Sequence, residues 1–86
     1  MKRITKKAFA LTYEGFSVPV LTAKGSDLLA DEIIHLANKN NVPVISNTLL
    51  AEDLSEVDIG EEIPEIMYEA VAVVLSWAYW IKGRKP

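Results

Sequence analysis

The sequence predicts an α/β fold in which a small mixed β-sheet of three strands is wrapped by three helices, the last one long and apolar. Two short segments, residues 8–13 and 18–23, have the alternating pattern of half-buried strands. The last third of the chain is almost continuously apolar, since Ser76 is the only polar residue between Ala70 and Ile81. With 86 residues, half of them hydrophobic, residues 1–86 are expected to form a single domain.

The first two strands are predicted to form a hairpin. In residues 8–13, large side chains (Phe9, Leu11, Tyr13) alternate with small ones (Ala8, Ala10, Thr12). Residues 14–17 are predicted to form the turn before the second strand. Pro19 cannot donate a ladder hydrogen bond, so we expect it at the start of that strand or on a sheet edge.

The next segment is predicted to be a helix capped by Ser26, with Asp27 in its first turn, that ends at Asn40 and Asn41. Its inward stripe is expected to comprise Leu29, Ala30, Ile33, Ile34, Leu36 and Ala37. Residues 42–45 are predicted to be a third strand, reached by a right-handed crossover and therefore parallel to the second.

Two further helices complete the prediction. Asn47 or Thr48 caps a short helix that carries Leu49, Leu50 and Leu54, and Pro64 suits the first turn of the long helix. The long helix has three apolar stripes. The first is expected to face the core (Met67, Ala70, Val71, Val74, Ala78). The second (Tyr68, Ala72, Leu75, Tyr79) and the third (Val73, Trp77, Trp80) fit burial or partner binding equally well.

Composition restricts the possible functions. The chain has no cysteine, which excludes disulfides and thiolate zinc sites, and its net charge of −3 gives no general affinity for nucleic acid. The apolar run of the last helix, about 12 residues, is shorter than the roughly 20 that a membrane span needs. We expect a cytoplasmic protein whose first six residues form a flexible basic arm.

No residue pattern argues for catalysis, a cofactor or a metal. His35 is the only histidine and is expected to be a surface or half-buried helix residue. An acidic cluster lacks the spacing of a calcium loop and is expected to be a solvated face (Glu52, Asp53, Glu56, Asp58, Glu61, Glu62). Residues 24–26 could hold an anion at a helix start, but a single Gly-Ser start is more typical of a strand-to-helix turn.

Several motifs resemble the cytoplasmic C-terminal domain of the FlhB-type export-switch proteins of flagellar and virulence-associated type III secretion systems. They are Ala23-Lys24-Gly25, Val42-Pro43, Ile59-Gly60 with Ile63-Pro64, and the run from Tyr68 through Ala72 to Trp77. The resemblance covers residues 5–82 and implies a small mixed sheet wrapped by helices.

Full-length members of the family carry a membrane region and an Asn-Pro-Thr-His segment that cleaves itself between Asn and Pro. The aligned positions here are Arg3, Ile4, Thr5 and Lys6, and the sequence has no Asn-Pro pair. The resemblance therefore implies a stand-alone counterpart of the post-cleavage fragment that does not cleave itself. The family's strand before the cleavage motif also belongs to the sheet, so we expect an exposed sheet edge here, a template for strand addition.

The resemblance implies a non-enzymatic binding module of the flagellar export apparatus that contributes to substrate recognition and specificity switching. Its partners would be the membrane export-switch protein, or a truncated form of it at the export gate, and rod- and hook-type substrates. The family's substrate patch, carried over by motif, falls on Val18, Pro19, Ala72 and Leu75. The alternative hypothesis is a small nucleic-acid-binding protein that uses the basic N-terminal arm and Lys24.

Overall fold

The computed structural model describes residues 6–13 and 18–83. Two strands, β1 (Lys7–Thr12) and β2 (Val20–Ser26), are followed by helices α1 (Leu28–Lys39) and α2 (Thr48–Leu54). A single 3₁₀ turn (Glu65–Met67) leads into α3 (Tyr68–Gly83). The α/β class and the three helices are as predicted.

The predicted hairpin is confirmed, because β1 and β2 pair in antiparallel orientation and Pro19 lies directly before β2. The predicted turn at 14–17 lies outside the described residues. The register contains a β-bulge: Ala10 is opposite Ala23, but Leu11 is opposite Leu21. Thr22 is therefore the extra residue, and its hydroxyl donates to the Ala10 carbonyl oxygen at 3.2 Å.

The bulge decides which side chains share a face of the hairpin. Cross-strand partners project to the same side, so the pairs Leu11–Leu21 and Phe9–Lys24 lie on one face. That face packs against the core, because Leu21 is fully buried in the main hydrophobic cluster and Phe9 and Leu11 pack against it. The small residues of β1, Ala8 and Ala10, lie on the opposite face, which packs against α1.

The other helices and their connections close the core around Leu21. Its buried members besides Leu21 are Leu50, Leu54, Val57, Ile63, Met67 and Val71. Residues 60–63 also cover the free edge of β2: Leu21 N–H donates to the Glu61 carbonyl oxygen (3.0 Å), and Gly60 N–H donates to that of Leu21 (2.7 Å). In the described part of the chain, the open sheet edge therefore belongs to β1.

The predicted third strand at 42–45 is wrong. Residues 42–47 have no regular secondary structure, and the described residues form a two-stranded sheet without a parallel crossover. The physical reason is that the predicted partner, β2, has no edge available. Residues 60–63 pair with the second edge of β2. In addition, Val42 N–H donates to the Ala37 carbonyl oxygen at the end of α1, and Pro43 has no N–H that could donate to a strand.

Helix α1 begins one residue later than predicted. Ser26 ends β2, and the cap position is occupied by Asp27, with φ 53° and no side-chain cap bond. The predicted end of the helix is confirmed, since Asn40 follows its last residue and Asn41 has φ 60°. The predicted inward stripe is wrong at Leu29 and Leu36, which stay about half exposed.

Helix α2 begins as predicted, with the Asn47 side-chain oxygen accepting from Leu50 N–H at 3.0 Å. In α3 and the 3₁₀ turn before it, the predicted core stripe is confirmed at Met67 and Val71, which are buried, whereas Ala70 is exposed. The structure does not support the prediction that the last helix is long and apolar. The α-helix has 16 residues and leaves six large side chains about half exposed: Tyr68, Val73, Trp77, Tyr79, Trp80 and Ile81. Within the described ranges, no helix is long and apolar enough to cross a membrane.

Candidate binding groove

An apolar groove lies between the residues that flank the hairpin turn and one face of α3. Its volume is about 380 Å³. The lining residues are Tyr13, Val18, Pro19, Ile63, Tyr68, Val71, Ala72, Leu75, Ser76 and Tyr79. Helical spacing explains the contribution of α3, since positions 68, 72, 75 and 79 recur every three or four residues and fall on one side of a helix.

The floor of the groove is part of the hydrophobic core. Ile63 and Val71 are each only 2% exposed, so they form a rigid apolar base. The Pro19 carbonyl oxygen accepts from Ile63 N–H at 2.9 Å, which joins the segment before β2 to the segment before α3. This hydrogen bond fixes one wall of the groove relative to the other.

Tyrosines border the groove. Tyr13 and Tyr79 meet edge to face, with ring centroids 6.4 Å apart and planes at 65°. Tyr68 and Tyr79 keep 43% and 57% of their surface exposed. Tyrosine combines an apolar ring with a polar hydroxyl, so this rim can hold an apolar side chain and also hydrogen-bond a peptide backbone.

The four residues predicted for the substrate patch lie together. Val18, Pro19, Ala72 and Leu75 all line the groove: Ala72 is exposed, and the other three are half-buried. The hairpin and α3 bring together residues more than 50 positions apart in the sequence. Sequence reasoning missed Ile63 and Ser76 as lining residues. It had grouped Tyr68 and Tyr79 with Ala72 and Leu75 by spacing, but it had no signal for Tyr13 beyond its place in the strand pattern.

Three of the four positions that replace the cleavage motif, Arg3, Ile4 and Thr5, lie outside the described residues, as does most of the predicted basic arm. The fourth, Lys6, is held by both its side chain and its backbone. Its ammonium group pairs with the Asp31 carboxylate of α1, and its carbonyl oxygen accepts from Asp27 N–H at 2.8 Å. The basic arm was expected to include Lys6, but this residue is anchored to the start of α1.

The predicted strand-to-helix turn at residues 24–26 borders a second cavity of about 310 Å³, lined by Lys7, Phe9, Lys24, Gly25, Ser26 and Ser55. Lys24 Nζ donates to the Val57 carbonyl oxygen at 2.8 Å and lies 4.0 Å from Asp58. The ammonium group is thus already engaged by protein oxygens, which disfavours the anion-binding interpretation.

The other polar residues considered from the sequence are exposed. His35 projects from α1, and all six members of the acidic cluster are exposed. One of them has a local role, because the Glu61 carboxylate accepts from Asp58 N–H at 2.9 Å in the turn at Gly60. Among residues 6–13 and 18–83, no group of three histidine, aspartate or glutamate side chains could hold a metal ion.

Comparison with known proteins shows the family to which this chain belongs. Residues 5–78 match the model described as the FlhB, HrpN, YscU and SpaS family. The flagellar biosynthetic protein FlhB of Escherichia coli is 38% identical over 81 residues, which are 91% of this chain but 21% of the relative. The chain thus spans about a fifth of the length of FlhB. An uncharacterized Bacillus subtilis protein, YlqH, is 36% identical over 76 residues, 86% of this chain and 82% of its own length.

Solved structures agree with the sequence matches. A mutated EscU C-terminal domain superimposes with a TM-score of 0.81 at 33% identity, covering 87% of this chain and 94% of the EscU chain. The PscU C-terminal domain gives a TM-score of 0.80 at 28% identity, covering 84% and 95%. The fold of this chain is therefore that of these C-terminal domains. By the match over residues 5–78, and by its likeness to YlqH over most of both chains, the protein belongs to the FlhB, HrpN, YscU and SpaS family.

Proposed function

We propose that this chain is a non-enzymatic binding module of a type III protein export apparatus, which takes the place of the post-cleavage fragment of the export-switch protein and helps to select substrates. The observation that carries the proposal is the groove, in which Val18, Pro19, Ala72 and Leu75 converge. Family membership supports a role in export, and the apolar, tyrosine-rimmed groove supports a role in recognition.

The occupant that we propose for the groove is a short apolar segment of a rod- or hook-type export substrate. A volume of about 380 Å³ lies at the lower end of the range for ligand pockets, so the groove can take a few side chains but not a folded domain. Its floor is apolar and its rim carries hydroxyl groups. These features suit an extended peptide that inserts apolar side chains and is held by backbone hydrogen bonds at the rim.

The proposed partner in the apparatus is the export-switch protein, and we propose that it pairs with the open edge of β1. The Lys6 carbonyl group faces β2, because it accepts from Asp27 N–H, and the Ala10 carbonyl group faces β2 as well. Backbone groups alternate along an antiparallel strand, so those of Lys7 and Phe9 face away from β2. They are available to an added strand.

Half-exposed apolar side chains support the same proposal. Leu29 and Leu36 of α1, and Val42 and Val44 after it, keep about half of their surface exposed. Leu29 and Leu36 were predicted to face the core, and Val42 and Val44 were predicted to belong to a third strand of the sheet. A strand added by the partner would extend the sheet and cover part of this surface. The module would then act in the cytoplasm, at the cytoplasmic side of the export gate.

The test supplies this chain as a separate polypeptide to cells whose own switch protein is truncated just after its Asn-Pro cleavage site. We expect restored swimming and hook-protein export, since the truncated protein retains the strand that would pair with β1. Lys7→Pro removes an outward N–H without removing a β1–β2 hydrogen bond, so this variant should fold but fail to restore export. A proline placed at another exposed lysine, as in Lys39→Pro, is not a suitable control, because it would distort α1. The matched control is Lys7→Ala, which keeps the N–H.

Absence of export in cells that accumulate the folded chain would overturn the proposal. Equal activity of Lys7→Pro and the wild type would overturn the strand-addition step alone.

We propose no nucleic-acid role, because the described basic residues that this hypothesis used, Lys6 and Lys24, are engaged with Asp31 and with the Val57 carbonyl group. We also propose no catalysis, since the single histidine, His35, lies exposed on α1 in a chain without cysteine.

A further inference from the structure

The described lining of the groove contains no charged residue, but two exposed glutamates border the groove near the start of α3. Glu65 lies in the 3₁₀ turn three residues before Tyr68, and residues three apart eclipse one another in such a turn. Glu69 lies three residues before Ala72 and seven before Ser76, so all three fall on the same side of α3. The groove is thus apolar inside and acidic at one end of its rim.

No basic side chain in the described part of the chain pairs with these two carboxylates. The ion pairs of that part use Asp31 and Asp58 as their acids. The helix dipole favours acidic residues at a helix start, but it favours them on every side of the helix. It therefore does not account for their position beside the groove. Like charges four residues apart on a helix also repel each other, and a positive charge brought by a ligand would relieve this repulsion.

We infer that the groove selects export-substrate segments in which a lysine or arginine lies within about three residues of the apolar anchor. The inference rests on the proposed function and specifies the charge of the segment that enters the groove. Along the helix axis, Glu69 is about 4.5 Å from Ala72 and about 10 Å from Ser76. An extended peptide advances about 3.3 Å per residue. A basic residue one to three positions from an anchor seated at Ala72 or Ser76 therefore reaches Glu69.

An apolar segment without a basic neighbour is the competing occupant. It would fill the groove equally well, but it would leave the carboxylates of Glu65 and Glu69 without a partner. Because both side chains are exposed, an ion pair at this rim adds little to equilibrium affinity. Rim charges act mainly on the rate of association and on its salt dependence, so kinetics distinguish the two occupants.

The test uses surface plasmon resonance with the immobilised 86-residue chain and a purified hook-type export substrate. For the wild-type chain, we expect association to slow at least about threefold as the ionic strength rises from about 20 to about 300 mM, because salt screens the rim charges. Dissociation should change little, since the apolar contacts in the groove hold the bound segment.

Variants assign the salt dependence to the groove rim. Glu65→Gln combined with Glu69→Gln should slow association at low salt about threefold and remove most of the salt dependence. The matched control is Glu52→Gln combined with Glu56→Gln, since these residues are also exposed and four apart and lie outside the groove lining. It removes the same charge from the chain but should keep the salt dependence. Glu69→Lys should slow association further, because it reverses the charge. Circular dichroism checks that each variant folds.

An association rate of the wild type that does not change with salt would overturn the inference, and this measurement needs no variant. Equal slowing by the two glutamine pairs would also overturn it, because the effect would then belong to the net charge of the chain. Failure of the proposed function gives a different result. In that case the substrate would not bind the wild type, or it would bind Ala72→Asp equally well. Weaker binding by Ala72→Asp together with a salt-independent wild type would keep the groove as the substrate site and remove only the basic neighbour.

Discussion

Lys24 Nζ lies 2.8 Å from the Val57 carbonyl oxygen and donates a hydrogen bond to it, which joins β2 to the turn after α2. This contact depends on the bulge at Thr22. Leu21 and Lys24 are three residues apart, and in a regular strand they would face opposite sides of the sheet. The extra residue places both on the core side, so the Lys24 stem covers the edge of the core while its ammonium group reaches Val57.

Lys24→Met should lower the free energy of unfolding by about 1–2 kcal/mol. Methionine keeps most of the apolar stem, so the loss reports mainly on the hydrogen bond and on the Val57 carbonyl group left without this donor. Urea unfolding followed by circular dichroism measures the difference. Lys39→Met, at an exposed site in the last turn of α1, is the control and should change stability by less than about 0.5 kcal/mol. Equal effects of the two substitutions would show that the Lys24 contact does not stabilise the fold.

Gly25→Ala should destabilise the domain by about 1–3 kcal/mol. A Cβ atom at position 25 would lie 2.4 Å from Leu29 Cγ and 2.9 Å from Leu29 Cβ, so the first turn of α1 would have to move away from β2. Leu29→Ala should recover part of the loss, because it removes the Cγ atom that clashes. A double-mutant cycle by urea unfolding gives the coupling between the two positions.

Gly60→Ala is the matched control for this cycle. Gly60 has φ +94°, and no atom lies within 4 Å of a Cβ built there, so alanine is strained by the backbone and not by a neighbour. It should also destabilise the domain, but without coupling to Leu29→Ala. If Gly25→Ala were likewise uncoupled from Leu29→Ala, the close approach of α1 to β2 would not be the reason for glycine at position 25.

Asn47→Ala should cost about 0.5–2 kcal/mol, because it removes the side-chain oxygen that caps α2 at Leu50 N–H. Helix α2 has seven residues and carries two core leucines, so loss of the cap also loosens Leu50 and Leu54. Asn38→Ala is the control. It lies within α1, where alanine is the better helix former, so it should leave stability unchanged or raise it slightly. Thermal melts of both variants decide whether the cap contributes.

Local patterns predicted the hairpin, the three helices, a cap of α2 at Asn47 or Thr48 and, in part, the buried stripe of the last helix, since these features depend on neighbouring residues. The prediction of a third strand failed because it required pairing with β2, whose second edge is not available. Residues 42–45 have strand composition, but residues 60–63 occupy the free edge of β2. No periodicity in either segment reveals which of them pairs with β2.

The groove residues were predictable only in part, because local patterns do not show which distant segments meet. Spacing placed Tyr68, Ala72, Leu75 and Tyr79 on one side of α3, and the resemblance added Val18 and Pro19. That Ile63 closes the floor depends on its hydrogen bond to Pro19, a contact between segments 44 residues apart that no local pattern encodes. The role of Lys24 depends on the bulge at Thr22, where the sequence carries no glycine or proline to mark it.

Val71 and Ala72 provide the sharpest test of the groove, because they are adjacent in α3 but differ in exposure. Val71 is 2% exposed in the core, whereas Ala72 is exposed on the groove wall. Val71→Asp places an unpaired charge in the core at a cost of several kcal/mol. The whole stability of an 86-residue domain is on the order of 4–13 kcal/mol, so this variant should unfold or come close to it.

Ala72→Asp should leave the domain folded, because an exposed aspartate stays hydrated. It should nevertheless weaken binding of a hook-type export substrate, since a charge on an apolar wall must be desolvated when the groove is filled. Circular dichroism checks folding, and calorimetric titration with the purified substrate measures the change in Kd. Ala70→Asp, also exposed on α3 but outside the groove, is the control and should bind as the wild type does. Equal binding by the Ala70 and Ala72 variants would remove the groove as the substrate site, and an unfolded Ala72 variant would show that the wall belongs to the core.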